Sequence, residues 1–183
     1  MRVPPVDRPG PLTRFAYRTA RRRYGQVPEP LTVWAHSRRL MLSITGFEQA
    51  VAGWSELDEV CKALAVLRSA QVIGCPWCVD FGSHVSRDVL TPEHVRDLHR
   101  WRESDAYTDV QRLCLEYAEG ASTTPLTVTD ELVDALRAAI GDPAVVELAM
   151  MVAVENQRSR FNGGLGLVSQ GFSTEACAVS VAH

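Results

Sequence analysis

The stretch LRSAQVIGCPWCVDFG, residues 67–82, contains the signals that decide the fold. Up to Gly74, apolar side chains recur every three to four residues, which is the period of an amphipathic helix. The glycine then breaks this helix. Pro76 suits the first position of a new helix, where its missing N–H costs no hydrogen bond. The stretch therefore predicts two consecutive helices that meet at the Cys-x-x-Cys motif of Cys75 and Cys78.

Helical periodicity continues on both sides of this stretch. Helix-capping residues, and glycines and prolines that end helices, predict seven helices. One begins after Thr91, and the other six cover residues 31–46, 56–72, 75–90, 107–119, 130–140 and 143–160. No segment of alternating apolar residues is long enough to require a sheet. The fold class is therefore predicted to be all-α, with about seven helices joined by short connections.

The length of 183 residues suits a single domain with a sizeable core. Six prolines predict that residues 1–30 form a largely irregular arm, with a short helix possible over residues 14–24, and residues 31–183 form one helical domain. No apolar run reaches the ~18 to 20 residues of a membrane span, and the N-terminus lacks the apolar core of a secretory signal. We therefore expect no membrane partner, a cytoplasmic location and mostly reduced cysteines.

Charge is distributed unevenly along the chain. Residues 1–39 hold nine arginines against two carboxylates, a net charge of +7, so the remaining residues sum to −10 within the total of −3. A basic arm of this kind can bind nucleic acid or an acidic membrane. We favour docking on the acidic body of the same or a neighbouring subunit, because no aromatic-interleaved patch or nucleic-acid motif accompanies the charge.

The cysteine pair at a helix start is the most informative chemical feature. Free N–H groups and the helix dipole favour a thiolate there, and the spacing allows two sulfurs to close a small disulfide. Such a dithiol can be oxidised and reduced repeatedly. Three alternatives stay open. One is a structural zinc site, although Cys61, Cys114 and Cys177 are too isolated in the sequence to complete four ligands. The others are a thioredoxin-type domain, whose strand pattern is missing here, and a pair of inert buried cysteines. We expect no metal and no cofactor.

Residues 67–82 resemble the core of the carboxymuconolactone decarboxylase-like superfamily, which includes alkyl hydroperoxidase D. Two further segments, RRYGQVPEPL at 22–31 and the run from Glu147 to Asn162, resemble the lead-in and the last long helix of its longer members. The resemblance implies an AhpD-like helical fold that assembles as a homo-oligomer. It also implies that Cys78 attacks a hydroperoxide, that Cys75 resolves the sulfenic acid to a disulfide, and that a dithiol or a protein partner reduces this disulfide.

The sequence departs from the hydroperoxidase pattern at two positions. The pattern has a histidine four residues after the second cysteine, where this chain has Gly82. It has a glutamate twelve residues before the first cysteine, where this chain has Ala63. Both members of the proton relay are therefore missing from their usual places.

Three other residues are candidates to replace the relay. His84 points roughly 120° away from Cys78 on a regular helix, so its geometry is poor unless the helix bends. Glu59 lies one turn before Ala63 on the same helix face. Glu155 lies near the end of the last helix and can pair with Arg158 three residues later.

Three functions are consistent with these residues. The first is a thiol-dependent peroxidase that uses Cys78 and Cys75. The second is an acid–base enzyme acting on a small organic acid, for which His84 or Glu155 would act with Arg158 or Arg160. The third is a non-enzymatic oligomer that senses redox state or binds a small molecule. We favour the peroxidase because only that reaction needs the cysteine pair.

Overall fold

A computed structural model describes residues 1–173, and this part of the chain contains eight α-helices and no strand. The helices are α1 (Pro11–Tyr24), α2 (Glu29–Trp34), α3 (Arg38–Val51), α4 (Glu59–Ile73), α5 (Pro76–Val85), α6 (Pro92–Asp97), α7 (Asp109–Gly120) and α8 (Asp130–Gly164). The predicted all-α class is thus confirmed. No helix within residues 1–173 combines the length and the apolar composition that crossing a membrane requires.

Local capping explains where the helix boundaries differ from prediction. The helix predicted over residues 31–46 is interrupted: α2 ends at Trp34, and α3 begins after Ser37, whose hydroxyl accepts a hydrogen bond from the first turn of α3. The start predicted at Glu56 is displaced to Glu59, because the carboxylate of Asp58 accepts two backbone N–H groups of the first turn at 3.0 and 3.1 Å. Helix α5 ends at Val85, five residues earlier than predicted.

Both ends of the chain contain more helix than the pattern suggested. In the N-terminal arm, α1 begins at Pro11 and ends at Gly25, whose φ of 82° lies in the left-handed region that favours glycine. The two helices predicted over residues 130–140 and 143–160 are both present and meet at Gly141, whose φ of 79° and ψ of 160° are not helical, so the 35-residue α8 is sharply kinked there. Helix α8 therefore reaches Gly164, beyond the predicted end.

The core lies between α4, α7 and α8. Helix α4 runs through the centre and packs against α5, α7 and α8. Leu64 of α4, Leu115 of α7 and Leu148 of α8 are completely buried, and each contributes about 1.5–3 kcal/mol through burial. This packing fixes α5 beside the C-terminal half of α8, which is the arrangement that forms the candidate site.

After α8 the chain turns back across α5. We call residues 165–173 the strap. Its first residues pack with the cysteine pair, since Leu165 and Leu167 belong to the same apolar cluster as Cys75 and Cys78. The strap therefore forms part of the cover over the motif.

Candidate functional site

The cysteine pair lies at the N-terminus of α5, as the sequence predicted. Cys75 is the N-cap residue, and its Sγ accepts a hydrogen bond from the backbone N–H of Cys78 at 3.2 Å. The two cysteines are joined in a disulfide with a Cα–Cα distance of 5.3 Å. Both are buried, at 1% and 5% exposure. When the disulfide is reduced, Cys78 is left in the first turn, where the helix dipole favours its thiolate.

A polar side chain from α8 reaches the second cysteine. Asn162 Nδ2 donates a hydrogen bond to Cys78 Sγ at 3.3 Å. Asn162 is 2% exposed, and its Oδ1 has no hydrogen-bond partner within residues 1–173. An amide that donates to sulfur stabilises the thiolate relative to the thiol. The unpartnered oxygen remains available to accept a hydrogen bond at the same place.

Asn162 ends a row of buried polar residues on one face of α8. We call Glu155, Ser159 and Asn162 the polar row. Ser159 Oγ donates to Glu155 Oε1 at 2.7 Å, and both residues are buried. Of these three residues, only Glu155 was predicted as a site residue from the sequence. The spacing of four and then three residues, which places side chains on one helix face, is the signal that would have found Ser159 and Asn162.

Glu155 has unusual electrostatics. It is 3% exposed, and burial raises its pKa to about 7 although Arg158 and the Ser159 hydroxyl favour the charged form. The predicted pair with Arg158 is present, at 3.5 Å from Nη1 to Oε2. Arg158 is bound more closely by Glu48 of α3, with 2.9 Å from Nε to Oε1. Glu155 can therefore exchange a proton near neutral pH, as a general acid or base must.

Apolar packing fills the two places where the relay residues were expected. A Cβ atom at Gly82 would lie 2.8 Å from Cδ2 of Leu67, because α4 and α5 approach closely there. A side chain at this position would therefore require the end of the buried Leu67 side chain to shift. Ala63 packs against the cluster that contains Leu64 and Leu90, which is a separate cluster from that of the cysteines.

The other predicted residues lie away from the thiols. His84 Nδ1 lies 3.1 Å from the carbonyl oxygen of Phe172, so this side chain contacts the strap. Glu59 is exposed at the start of α4, whose 15 residues span about 22 Å before Cys75. Asn156, the neighbour of Glu155, donates to Ser122 Oγ at 3.1 Å and faces α7. Of the three relay candidates, only Glu155 shares a helix face with a residue that contacts Cys78.

The carboxylate of Asp80 fastens the strap to α5. Asp80 is completely buried and accepts hydrogen bonds from Ser169 Oγ at 2.9 Å and from the backbone N–H groups of Gln170 and Ser173 at 2.8 Å. Burial alone would raise the pKa of Asp80, but the bonds from the strap, including one from the backbone of Phe172, hold it below its usual value. Asp80 thus stays ionised and structural.

Gln170 of the strap joins the motif to the N-terminal arm. Its Oε1 accepts from Trp77 Nε1 at 2.7 Å and from the backbone N–H of Glu29 at 2.8 Å. Its Nε2 donates to the carbonyl of Val27 at 3.2 Å. The Trp77 ring also stacks on Phe81, with centroids 4.8 Å apart. The strap and the arm therefore close over the cysteine pair together.

The other cysteines do not extend the site. Cys61 and Cys114, isolated in the sequence, are both buried and are hydrogen-bonded to each other between α4 and α7. The hydrogen bond with Cys61 and burial raise the pKa of the Cys114 thiol far above its usual range. Cys177 lies outside the described residues. Over residues 1–173, no three His, Cys, Asp or Glu side chains are grouped as metal ligands.

Comparison with known proteins agrees with this architecture. Residues 39–120 match the model of the carboxymuconolactone decarboxylase family. The uncharacterized protein YnjA of Escherichia coli K12 is 33% identical over 177 residues, which cover 93% of this chain and 95% of YnjA.

Two solved structures share the fold. The debrominase Bmp8 superposes with a TM-score of 0.84 at 20% identity, over 96% of both chains. An alkylhydroperoxidase AhpD core protein of Ralstonia eutropha JMP134, described as peroxidase-related, superposes with a TM-score of 0.80 at 17% identity, over 93% of both chains. From the cysteine motif, the helical architecture and these matches together, the chain belongs to the carboxymuconolactone decarboxylase family and has an AhpD-like fold.

Proposed function

We propose that the chain is a thiol-dependent peroxidase in which Cys78 reduces hydroperoxides and Cys75 resolves the product. The Cys78 thiolate attacks the outer peroxide oxygen, the O–O bond breaks, and the departing alkoxide takes a proton to become an alcohol. Cys75 then attacks the sulfenic acid, which releases water and forms the disulfide. A dithiol donor or a protein reductant restores both thiols. The observation that carries the proposal is the hydrogen bond from Asn162 to Cys78 Sγ at the start of α5.

The polar row supplies what the absent relay would have provided. In our proposal Asn162 positions the thiolate, and Glu155 holds the proton that the alkoxide needs. Seven residues of helix separate the two along α8, about 10 Å. The proton therefore has to pass through the Ser159 hydroxyl and the oxygen atoms of a water molecule or of the substrate. His84 and Glu59, which lie away from the thiols, have no part in this scheme.

The proposal also sets the partners and the location. Each turnover consumes one hydroperoxide and one dithiol, so the protein works where a reductant keeps thiols reduced, as in the cytoplasm. No cofactor or metal takes part in the scheme. We further propose that the protein assembles as a homo-oligomer.

A second candidate is acid–base chemistry on a small organic acid. It is favoured by Glu155, a buried carboxyl whose pKa is near 7, with Arg158 beside it. Arg158 is bound to Glu48, however, and so is poorly placed to receive a substrate carboxylate. We rank this candidate below the peroxidase.

Selective blocking of the dithiol tests the proposed function. One sample is alkylated after reduction, so that Cys75 and Cys78 are modified. A matched sample is alkylated while the disulfide is intact and is then reduced. Cys61 and Cys114 are free thiols in both samples, so any reaction at them is common to both. We expect only the matched sample to convert cumene hydroperoxide to its alcohol with dihydrolipoamide as the reductant.

Three results would contradict the peroxidase. Equal turnover by both samples would remove the cysteines from the reaction, and turnover of an organic acid by the blocked sample would favour acid–base chemistry. A dithiol that is oxidised once by peroxide and never turns over would favour a redox sensor. Because a variant of Bmp8 binds 2,3,4-tribromopyrrole, the same compound is a useful competing electrophile. Dithiol-dependent loss of bromide from this compound, without peroxide turnover, would favour debromination over peroxide reduction.

Glu155→Gln is expected to change how stability depends on pH. A carboxyl whose pKa rises on folding stabilises the folded state below its unfolded pKa, and this contribution is lost as pH rises through about 7. In wild type, we expect the free energy of unfolding to fall by up to about 3 kcal/mol between about pH 5 and about pH 8 for this reason. Glu155→Gln should remove most of it, as measured by urea unfolding.

Glu48→Gln is the matched control, because it removes the other carboxylate bound to Arg158. The control should keep a pH dependence, displaced to lower pH because Glu48 contributes to the raised pKa of Glu155. If the two variants have the same pH profile as wild type, Glu155 does not titrate near 7. The rate of Cys78 alkylation should likewise lose an inflection near pH 7 in Glu155→Gln only.

A further inference from the structure

The N-terminal helix presents a basic face with an apolar residue in it. Arg14, Phe15, Arg18 and Arg22 are all exposed and lie on one side of α1, and the Phe15 side chain is 66% exposed. Ala20 is the buried residue of this helix. None of its arginines forms an ion pair within residues 1–173. Within residues 1–173, therefore, no ion pair makes the electrostatic docking that the charge distribution predicted for the arm.

The arm is nevertheless fixed at both ends. The backbone N–H of Arg2 donates to the carbonyl of Leu165 at 2.7 Å, and its guanidinium donates to the carbonyl of Gly164 at 2.8 Å. At the other end of α1, the ring of Tyr24 lies edge-on to Phe81 with centroids 5.1 Å apart. These contacts hold the arm to its own subunit before and at the end of α1, and they leave the exposed residues on the outer face of α1 available to a second molecule.

A groove elsewhere on the body has the complementary character. It lies between the loop before α4 and the middle of α8, has a volume of about 380 Å³, and is lined by Trp54, Pro143, Val146 and Met150. Val146 is 63% exposed and Met150 is 44% exposed. This apolar surface is large enough for an aromatic ring and the aliphatic stems of neighbouring arginines.

Carboxylates border one side of this groove. Glu56 lines it, and Asp58 and Glu59 follow within three residues, all three exposed. Glu56 and Glu59 have no ion-pair partner in the part of the chain that the structure describes. The groove thus combines an apolar floor with unpaired negative charge, whereas α1 combines an apolar side chain with unpaired positive charge.

The groove is preformed. The carboxylate of Glu147 accepts hydrogen bonds from the backbone N–H groups of Glu56 and Leu57, and it pairs with Lys62 at 2.5 Å. Lys62 also donates to the carbonyl of Trp54. These contacts hold the loop against α8, so that little conformational entropy is lost when the groove is filled.

We propose that this groove receives α1 of a second copy of the chain. Phe15 lies in the apolar groove, and Arg14 and Arg18 lie beside the carboxylates at residues 56, 58 and 59. The charges favour this occupant, since the arm region carries +7 and the rest of the chain −10. The contact joins two different surfaces, so it can be made twice in a dimer with a two-fold axis or repeated around a closed ring.

A charge-swap experiment on the full chain tests this interface. Sedimentation velocity should show association at micromolar concentration that weakens with salt. Phe15→Ser should raise the dissociation constant at least about tenfold. Arg18→Glu and Glu56→Arg should each raise it several-fold, and the double variant should recover most of the loss. Arg38→Glu and Glu103→Arg, which change exposed residues away from both surfaces, should leave it unchanged.

Photo-crosslinking identifies the contact directly. A benzophenone side chain in place of Phe15 should crosslink to residues 53–56 or 143–150 of a second chain. Thermal melting should show that every variant folds, since all the substituted residues are exposed. A monomer at high micromolar concentration would overturn the proposal. So would an oligomer that the charge reversals do not affect, or crosslinks only to other regions or to a nucleic acid.

Discussion

Replacing Cys78 by serine is expected to lower kcat/KM for an organic hydroperoxide by about 10³-fold or more, because the reaction loses its nucleophile. A serine hydroxyl is not ionised at neutral pH and cannot form a sulfenic acid. Cys75→Ser should behave differently. This variant keeps the Cys78 thiolate and its hydrogen bond from Asn162. It should therefore reduce one equivalent of peroxide rapidly and then stop or depend on an external thiol. Stopped-flow measurement of peroxide loss separates the two outcomes.

Cys61→Ala is the matched control for both variants. It removes a buried cysteine that belongs to the α4–α7 contact and not to the motif. Turnover should stay within a few-fold of wild type, although some stability is lost with the thiol. If Cys75→Ser, and not Cys78→Ser, abolished the first reduction of peroxide, the roles of the two cysteines would have to be exchanged.

Replacing Asp80 by alanine is expected to release the strap. The N–H groups of Gln170 and Ser173 and the Ser169 hydroxyl would lose their hydrogen bonds to this carboxylate, which costs about 3 kcal/mol in total. The cover over the cysteines should loosen, so the alkylation rate of the reduced thiols should rise at least about tenfold. Asp88→Ala removes an exposed carboxylate nearby in sequence, 84% accessible, and should change neither quantity.

The effect of acid follows from the same contacts. The pKa of Asp80 is lowered on folding, so its contribution to stability is complete above its unfolded pKa, about 3.9. That contribution is lost as pH falls through the folded value. Acid should therefore open the strap in wild type, whereas Asp80→Ala should be insensitive over this range. An alkylation rate that is equal in both proteins at neutral pH would show that the strap does not control access to the cysteines.

The fold was largely predictable because its main signals are local. Pro76 after Cys75 and the caps at Thr91 and Thr129 lie within one turn of the helices that they start, and all three starts are where the sequence predicted them. The predictions were wrong where two local signals competed. Ser37 interrupts an apolar period that continues through it, and its hydrogen bond to the next turn favours a new helix start.

The candidate site was predictable only in part, because its contacts are distant in sequence. The cysteine pair could be identified from three-residue spacing. The bond from Asn162 to Cys78 spans 84 residues, and the bonds from the strap to Asp80 span about 90. No local sequence pattern indicates which face of α8 packs against α5. For the same reason the sequence could not show that the Leu67 side chain of α4 packs against Gly82 of α5.

Trapping the sulfenic acid shows directly whether Cys78 is the residue that reduces peroxide. Reduced Cys75→Ser protein is treated with one equivalent of hydroperoxide in the presence of dimedone, and its peptides are analysed by mass spectrometry. We expect a dimedone adduct on Cys78 in nearly stoichiometric yield, with Cys61 and Cys114 unmodified. Absence of an adduct at Cys78, or an adduct only at the other cysteines, would contradict the claim that Cys78 is the residue that reduces peroxide.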